Sequence, residues 1–345
     1  MAVLQKALAA IVLPGLMGLS ACETVMQQRA EQDFPPNGEL VQLEDGRRIQ
    51  LDCRGEGAPT VVFQSGGDVL GSLGWEPVHD RVAAFTRACA YSRAGVLWSD
   101  ARSGAFDPRE VAEDLHEALN AAGEIGEYVL VGHSRGGLYN MIYAGLYQDE
   151  IAGLVFADSS HPDQETAFAE AGLPLGSYVS PAQEIGLALR WTGMMRMVDY
   201  PVDPSIAAEV EAFYPKSAAA NAREARKRHE TLEFAGKFRD LRTWPVVVLA
   251  REPAELTEAW KREDSRNAYL LSADGLATGE DIPEGEVVWR RLQADLATWS
   301  SRARLEIVPE SGHAFFFHKP EVVVSAVREV VTAARVVHRE PPLPN

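Results

Sequence analysis

Eight short apolar runs punctuate the chain between residues 40 and 308, with amphipathic helical stretches between several of them. They read as strands: Leu40–Leu43, Arg48–Cys53, Thr60–Gln64, Ala88–Tyr91, Tyr128–Gly132, Gly153–Asp158, Pro245–Ala250 and Arg304–Val308. Runs such as VVF, YVLVG and VVVLA show no polar alternation, the pattern of parallel strands covered on both faces. The clearest intervening helix is Pro108–Ala122, which puts Val111, Leu115, Leu119 and Ala122 on one face. Asp107 reads as its N-cap, Pro108 as a first-turn residue, Glu110 as a capping-box partner and Gly123 as the stop. This alternation predicts an α/β fold, a mostly parallel eight-stranded sheet with helices on both faces.

Residues 161–243 break the alternation. They hold helical windows at Ser205–Tyr214 and Ala218–Phe238 but no convincing strand, so they are expected to form a helical cap inserted after strand 6. The core is then 40–160 and 244–338. The charged run NAREARKRHE inside the cap reads as a solvated helix face.

Composition narrows the function classes. The 345 residues carry 33 Lys+Arg against 50 Asp+Glu, a net charge of −17. Nucleic acid and anionic membrane faces need basic patches, so non-specific binding to either is disfavoured. At 46% hydrophobic the chain is too apolar for disorder, and three cysteines are too few for a disulfide-built scaffold.

Residues 1–22 read as a bacterial export signal: Lys6 is the single charge, and Ala7–Leu19 is an apolar stretch too short to span a bilayer. Leu19-Ser20-Ala21-Cys22 resembles a lipobox, in which the cysteine is lipidated; a plain secretory signal is the alternative. The expected location is exported and membrane-anchored through Cys22, at the periplasmic face or cell surface, with residues 23–39 as a tether. Without Lys6 the exported part holds 32 basic and 50 acidic residues, a charge of −18.

The most specific motif is Gly132-His133-Ser134-Arg135-Gly136-Gly137, between the strand YVLVG and the helical run LYNMIYAGLY. A serine between glycines at a strand-to-helix junction matches G-x-S-x-G: the turn is tight, side chains at the glycines would clash, and the helix dipole favours developing negative charge near the hydroxyl. Together with three further motifs in order, the chain resembles the α/β-hydrolase superfamily over residues 40–335. Gln64-Ser65-Gly66-Gly67-Asp68 stands where that family has His-Gly-x. Tyr91-Ser92-Arg93-Ala94-Gly95 resembles its D-R-x-G turn, with Ser92 in place of Asp. Ser311-Gly312-His313 resembles its G-H turn after the last strand.

The resemblance implies a triad. Ser134 is the expected nucleophile and His313 the base, with His318 a rival for that role. The acid is Asp158, directly after the sixth strand, or Glu252, after the seventh, where the family's G-x-x-D pattern is missing. The expected oxyanion donors are the backbone amides of Gly67 and Arg135. His133 is assigned to packing and His161 to the pocket lining; His79, His116 and His229 read as surface residues. No His pair has metal-ligand spacing, and no cofactor is called for. In this family's sheet the second and fourth strands are neighbours, so a Cys53–Cys89 disulfide is expected. Trp191, Met194, Met195, Met197, Tyr200, Phe213 and Tyr214 read as the cap's core or as walls for an apolar acyl or alcohol group.

The resulting expectation is a serine hydrolase acting on a small-molecule carboxylic ester. An aminopeptidase or C–C bond hydrolase would use the same triad. A non-catalytic surface-binding lipoprotein is the reading from a different class.

Overall fold

The computed structural model describes residues 24–176, 179–197, 200, 202–252 and 282–337. Met1–Cys22, and with it the lipobox, lies outside the described residues. Eight strands form one sheet: β1 (Glu39–Gln42), β2 (Arg48–Arg54), β3 (Thr60–Gln64), β4 (Ala88–Tyr91), β5 (Tyr128–His133), β6 (Ile151–Ala157), β7 (Pro245–Arg251) and β8 (Arg302–Val308). Their order is β1-β2-β4-β3-β5-β6-β7-β8; β2 is antiparallel to both neighbours, and every pair from β4 to β8 is parallel. All eight strands lie where the apolar runs put them, with ends shifted by a few residues.

Helices cover both faces. Residues 24–33 form α1. It is followed by α2 (Glu76–Ala83), α3 (Arg109–Ala121), α4 (Arg135–Leu146), α5 (Gln164–Glu170), α6 (Pro181–Ala188), α7 (Ala207–Ala225), α8 (Arg228–Ala235), α9 (Ile282–Leu296) and α10 (Pro320–Val337). The twofold period of the strands deals side chains alternately to two cores. Val62, Leu130, Val246 and Val248 join α3 and α4 on one side. Val61, Phe63, Val129, Val131, Val247 and Leu249 join α2 and α10 on the other. That explains why these strands are apolar throughout.

Between β6 and β7 the chain is helical, from α5 to α8. Val210, Phe213 and Tyr214 of α7 pack with Met195, Tyr200 and Leu187 against Leu70, Leu73 and Trp98 of the core, while Met194 and Met197 are exposed. Pro215 does not separate the two helical windows: α7 runs through it from Ala207 to Ala225, and the second window instead breaks after Ala225 and resumes as α8.

Other local expectations need correction. Residues 24–33 are not a structureless tether: Ala30 is buried in the same cluster as α7, and the Trp98 indole donates to the Phe34 carbonyl at 2.8 Å. The capping box of α3 does not form. Asp107 accepts from the Arg109 amide, while Glu110 is drawn to Arg102 and Arg223, because two guanidiniums outcompete a local amide. His79 is a core residue, 1% exposed, with Nε2 donating to the Ala88 carbonyl at 2.9 Å.

Cys53 and Cys89 face each other across the β2–β4 pair, with Cα atoms 4.0 Å apart and the sulfurs bonded. Among the described residues the one cluster of His, Cys, Asp and Glu side chains with metal-like spacing is this pair with Glu124, and its sulfurs are already committed to each other. The bond closes a loop with a sequence separation of 36. Replacing both cysteines by alanine is expected to cost about 2–4 kcal/mol by releasing that loop in the unfolded chain. Urea unfolding of the oxidised protein and the double variant measures it; identical midpoints would show that the bond contributes nothing.

Candidate active site

The serine turn is built by exclusion. Ser134 has φ 52° and ψ −126°, a conformation that only a tightly determined surrounding maintains. A Cβ on Gly136 would lie 2.3 Å from the Gln64 carbonyl oxygen, and one on Gly132 would lie 2.7 Å from Asn140 Nδ2 and 2.8 Å from Gly137 Cα. Glycine is therefore required at both places. The Ser134 carbonyl accepts from the amides of Gly137, at 3.0 Å, and Ser160, at 2.9 Å, which ties the elbow to the end of β6.

Asp158 leaves β6 with φ 47° and is fully buried. Its Oδ2 accepts from His313 Nδ1 at 2.6 Å and from Arg251 Nη1 at 2.6 Å. Its Oδ1 accepts from Trp289 Nε1 at 2.7 Å and from the Arg251 amide at 3.1 Å. Burial by itself raises a carboxyl pKa, but the Arg251 charge and the bonds from His313 and Trp289 outweigh it and hold Asp158 well below the usual carboxylate range. Arg251 stacks over the Trp289 ring, 4.8 Å from its centroid, and also pairs with Glu286 at 2.8 Å.

His313 is 3% exposed and sits in the turn after β8. Ser311 shapes that turn by donating from Oγ to the Val308 carbonyl at 2.7 Å and from its amide to the Glu252 carbonyl at 2.9 Å. His133 donates from Nε2 to the His313 carbonyl at 3.1 Å, and the two rings are 4.6 Å apart. Ser134, Asp158 and His313 thus converge at the ends of β5, β6 and β8. Glu252 stands apart: its side chain is 42% exposed and pairs with Arg290. His318 follows the 3-10 turn Phe315–Phe317, five residues beyond His313. His161 is buried and bonds Asp295 at 3.1 Å.

The loop after β3 packs on the elbow. A Cβ on Gly66 would lie 3.0 Å from Ser134 Cβ, and one on Gly67 would lie 2.2 Å from Arg135 Nη2, so Arg135 fills the space that Gly67 leaves. The loop's carbonyls are all held. Arg93 donates to Ser65 O and Gly66 O, each at 2.7 Å, and Asn221 Nδ2 donates to Gly67 O at 2.9 Å. Arg93 and Arg135 both bind Glu224 of α7, at 2.9 and 3.1 Å, and Tyr139 donates its hydroxyl to the same carboxylate at 3.0 Å. Burial works against ionised Glu224, but the two guanidiniums prevail and keep its pKa low. The charged run of α7 is therefore not a uniformly solvated face: Glu224 is 4% exposed.

Arg251, Trp289, Glu224 and Asn221 were not picked out from the sequence. Arg251 carried one signal, a basic residue immediately after an apolar strand where the family's alternative acid belongs.

Comparison with known proteins agrees with this architecture. The chain is 24% identical over 301 residues to "Probable transporter efuK" of Hormonema carpetanum, covering 82% of this chain and 41% of that protein. It spans between 28% and 41% of the length of the curated relatives it matches. An esterase from Exiguobacterium antarcticum superposes with a TM-score of 0.60 at 16% identity, covering 86% of this chain and 99% of that one. A thermophilic esterase from Thermogutta terrifontis does so with a TM-score of 0.57 at 17% identity, covering 86% and 98%. At such identities these two likenesses establish the fold. The sequence pattern of the Alpha/beta hydrolase family matches residues 61–326, more than three quarters of the chain, and the chain belongs to that family.

Proposed function

We propose that the protein is a serine hydrolase that cleaves a carboxylic ester through an acyl-enzyme. The observation that carries this reading is the 2.6 Å bond from His313 Nδ1 to the buried Asp158 carboxylate, beside a strained serine elbow. With Nδ1 donating to Asp158, Nε2 is left as the basic nitrogen. Ser134 Oγ attacks the ester carbonyl as its proton passes to His313 Nε2. The tetrahedral oxyanion is held by the amides of Gly67 and Arg135. Because a trans peptide points N–H opposite to C=O, the hold of Arg93 on the Gly66 carbonyl turns the Gly67 amide away from Arg93. Collapse returns the proton to the leaving alcohol, and water repeats the cycle to release the acid.

A fluorophosphonate probe is expected to label the wild type and not Ser134→Ala; an unlabelled wild type would sink the proposal. On p-nitrophenyl esters Asp158→Asn should lower kcat by roughly 10⁴-fold through the wrong imidazole tautomer. Glu252→Gln should stay near wild type, and the opposite ranking would transfer the acid role to Glu252.

Arg251 is the residue that makes a buried, ionised Asp158 tolerable. Since Asp158 titrates below its unfolded value of about 3.9, its ionised form stabilises the fold above that pH, and the contribution fades as pH falls towards the folded-state pKa. Arg251→Met should therefore cost about 3–5 kcal/mol at pH 7, the effect of stranding a buried charge. The deficit should narrow as pH falls, beginning above the ordinary carboxylate range, because without the Arg251 charge burial pushes the Asp158 carboxyl up and it protonates in the variant first. Urea midpoints at several pH values check this; a pH-independent deficit would mean that Arg251 acts by packing alone.

For location, export and lipid anchoring through Cys22 remain part of the proposal. Metabolic labelling with radioactive palmitate should mark the wild-type protein and not Cys22→Ser.

A further inference from the structure

A cavity of about 720 Å³ opens between α7, α1 and the chain after β4, and neither Ser134, Asp158, His313 nor the Gly66–Gly67 loop lines it. Its size is that of a small-molecule pocket. Phe106, Val111, Trp191 and Pro215 give it apolar walls. Arg93 and Glu224, paired with each other, stand at its inner end. Arg93 also donates to the Ser65 and Gly66 carbonyls of the loop beside Ser134, so one buried ion pair touches both the cavity and that loop.

The charges around the cavity are unevenly matched. All three carboxylates that line it are already bound: Glu110 by Arg223, Asp114 by Arg102 and Glu224 by Arg93. Two cations that line it are not matched in this way. Lys216 has no carboxylate within ion-pair distance among the described residues; its ammonium lies 5.5 Å from the Phe213 ring centroid. Arg190, exposed at the mouth, has as its one bond among the described residues the donation to the Leu187 carbonyl of its own turn. An apolar chamber with two unmatched cations is complementary to a molecule with an apolar body and one negative head.

We infer that this cavity is a second ligand site, separate from the triad, for an anionic amphiphile such as a medium-chain carboxylate, with Lys216 and Arg190 receiving the head group. Burial pushes the Lys216 ammonium down to about 8; Glu31 of α1 and Asp100 after β4 oppose that shift, and Arg48 of β2, itself paired with Asp100, adds to it. Lys216 is thus a cation below about pH 8 and neutral above it. Anion binding should be strong on the acid side of that value and fall on the alkaline side.

The test is calorimetric titration of the intact protein with octanoate, with 1-octanol as the neutral control. Octanoate is expected to bind wild type and Ser134→Ala alike, and more tightly than octanol. Lys216→Gln and Arg190→Gln should each weaken octanoate by about tenfold or more while leaving octanol unchanged. Lys216→Arg, which keeps its charge at all accessible pH, should retain binding and lose the fall above pH 8. Ala219→Trp, which places an indole inside the cavity, should abolish binding of both probes; unfolding midpoints of each variant confirm the fold. Octanoate affinity that is unchanged in Lys216→Gln and Ala219→Trp, or lost in Ser134→Ala, would overturn the inference and put the ligand at the triad. No octanoate binding to the wild type would overturn it as well.

Discussion

The Asp158 carboxylate is the constraint around which this end of the molecule is arranged. An ionised group with no solvent exposure is intolerable unless its lone pairs are satisfied. Four donors meet here from three segments: His313 after β8, Arg251 by side chain and amide at the end of β7, and Trp289 of α9. Each segment is otherwise free to end anywhere near the sheet edge. The need to satisfy one buried charge sets where β7 stops, how α9 lies against it and how the His313 turn is presented.

The legible part of this design is local, and the illegible part is relational. The central strands β3, β5, β6 and β7 could be read because each holds an unbroken apolar run, and the elbow because glycine at 132 and 136 leaves a recognisable spacing. Asp158 could be read because it follows β6 at once. Arg251 is equally close to its strand, but a lone arginine does not announce that it will be buried against a carboxylate 93 positions away. Trp289 looks like any aromatic on a helix. Glu224 is the harder case: among the charges of 221–230, only its phase on α7 separates it from solvated neighbours, and that phase is obscured because the helix runs straight through Pro215. His79 reads as a surface residue because its neighbours Glu76 and Asp80 give the stretch a polar appearance, although its ring is buried.

Glu224 joins the inserted helices to the Ser134 end of the core. Its carboxylate accepts from Arg93, Arg135 and Tyr139, and the first two in turn contact the loop after β3. Asn221, one helical turn earlier, binds both Arg135 and the Gly67 carbonyl. Helix α7 therefore does more than cover the site. It supplies the counter-charge that lets two guanidiniums stay buried, and Arg93 with Asn221 of the same helix fixes the peptide planes of residues 65–67. A loop whose carbonyls are pinned has amides of fixed direction, which is what preorganised stabilisation of an oxyanion requires.

The two clusters also differ in sign, and the difference lies along the reaction proposed for Ser134. Beside His313, Asp158 and Glu286 face Arg251, a net of one negative charge. Beside the loop of residues 65–67, Arg93 and Arg135 face Glu224, a net of one positive charge. Attack by the serine separates charge in the matching sense, because the imidazole becomes a cation next to the negative cluster while the carbonyl oxygen becomes an anion on the loop side. Such fixed charges need no rearrangement as the reaction proceeds, and those that are buried act with less screening than Glu286, which is partly exposed. Neither cluster touches the reacting atoms with its charges alone: one acts through the His313–Asp158 bond and the other through the backbone it holds. The fold thus carries its electrostatic bias in ion pairs that also close the core, which ties the stability of this end of the sheet to the chemistry proposed for it.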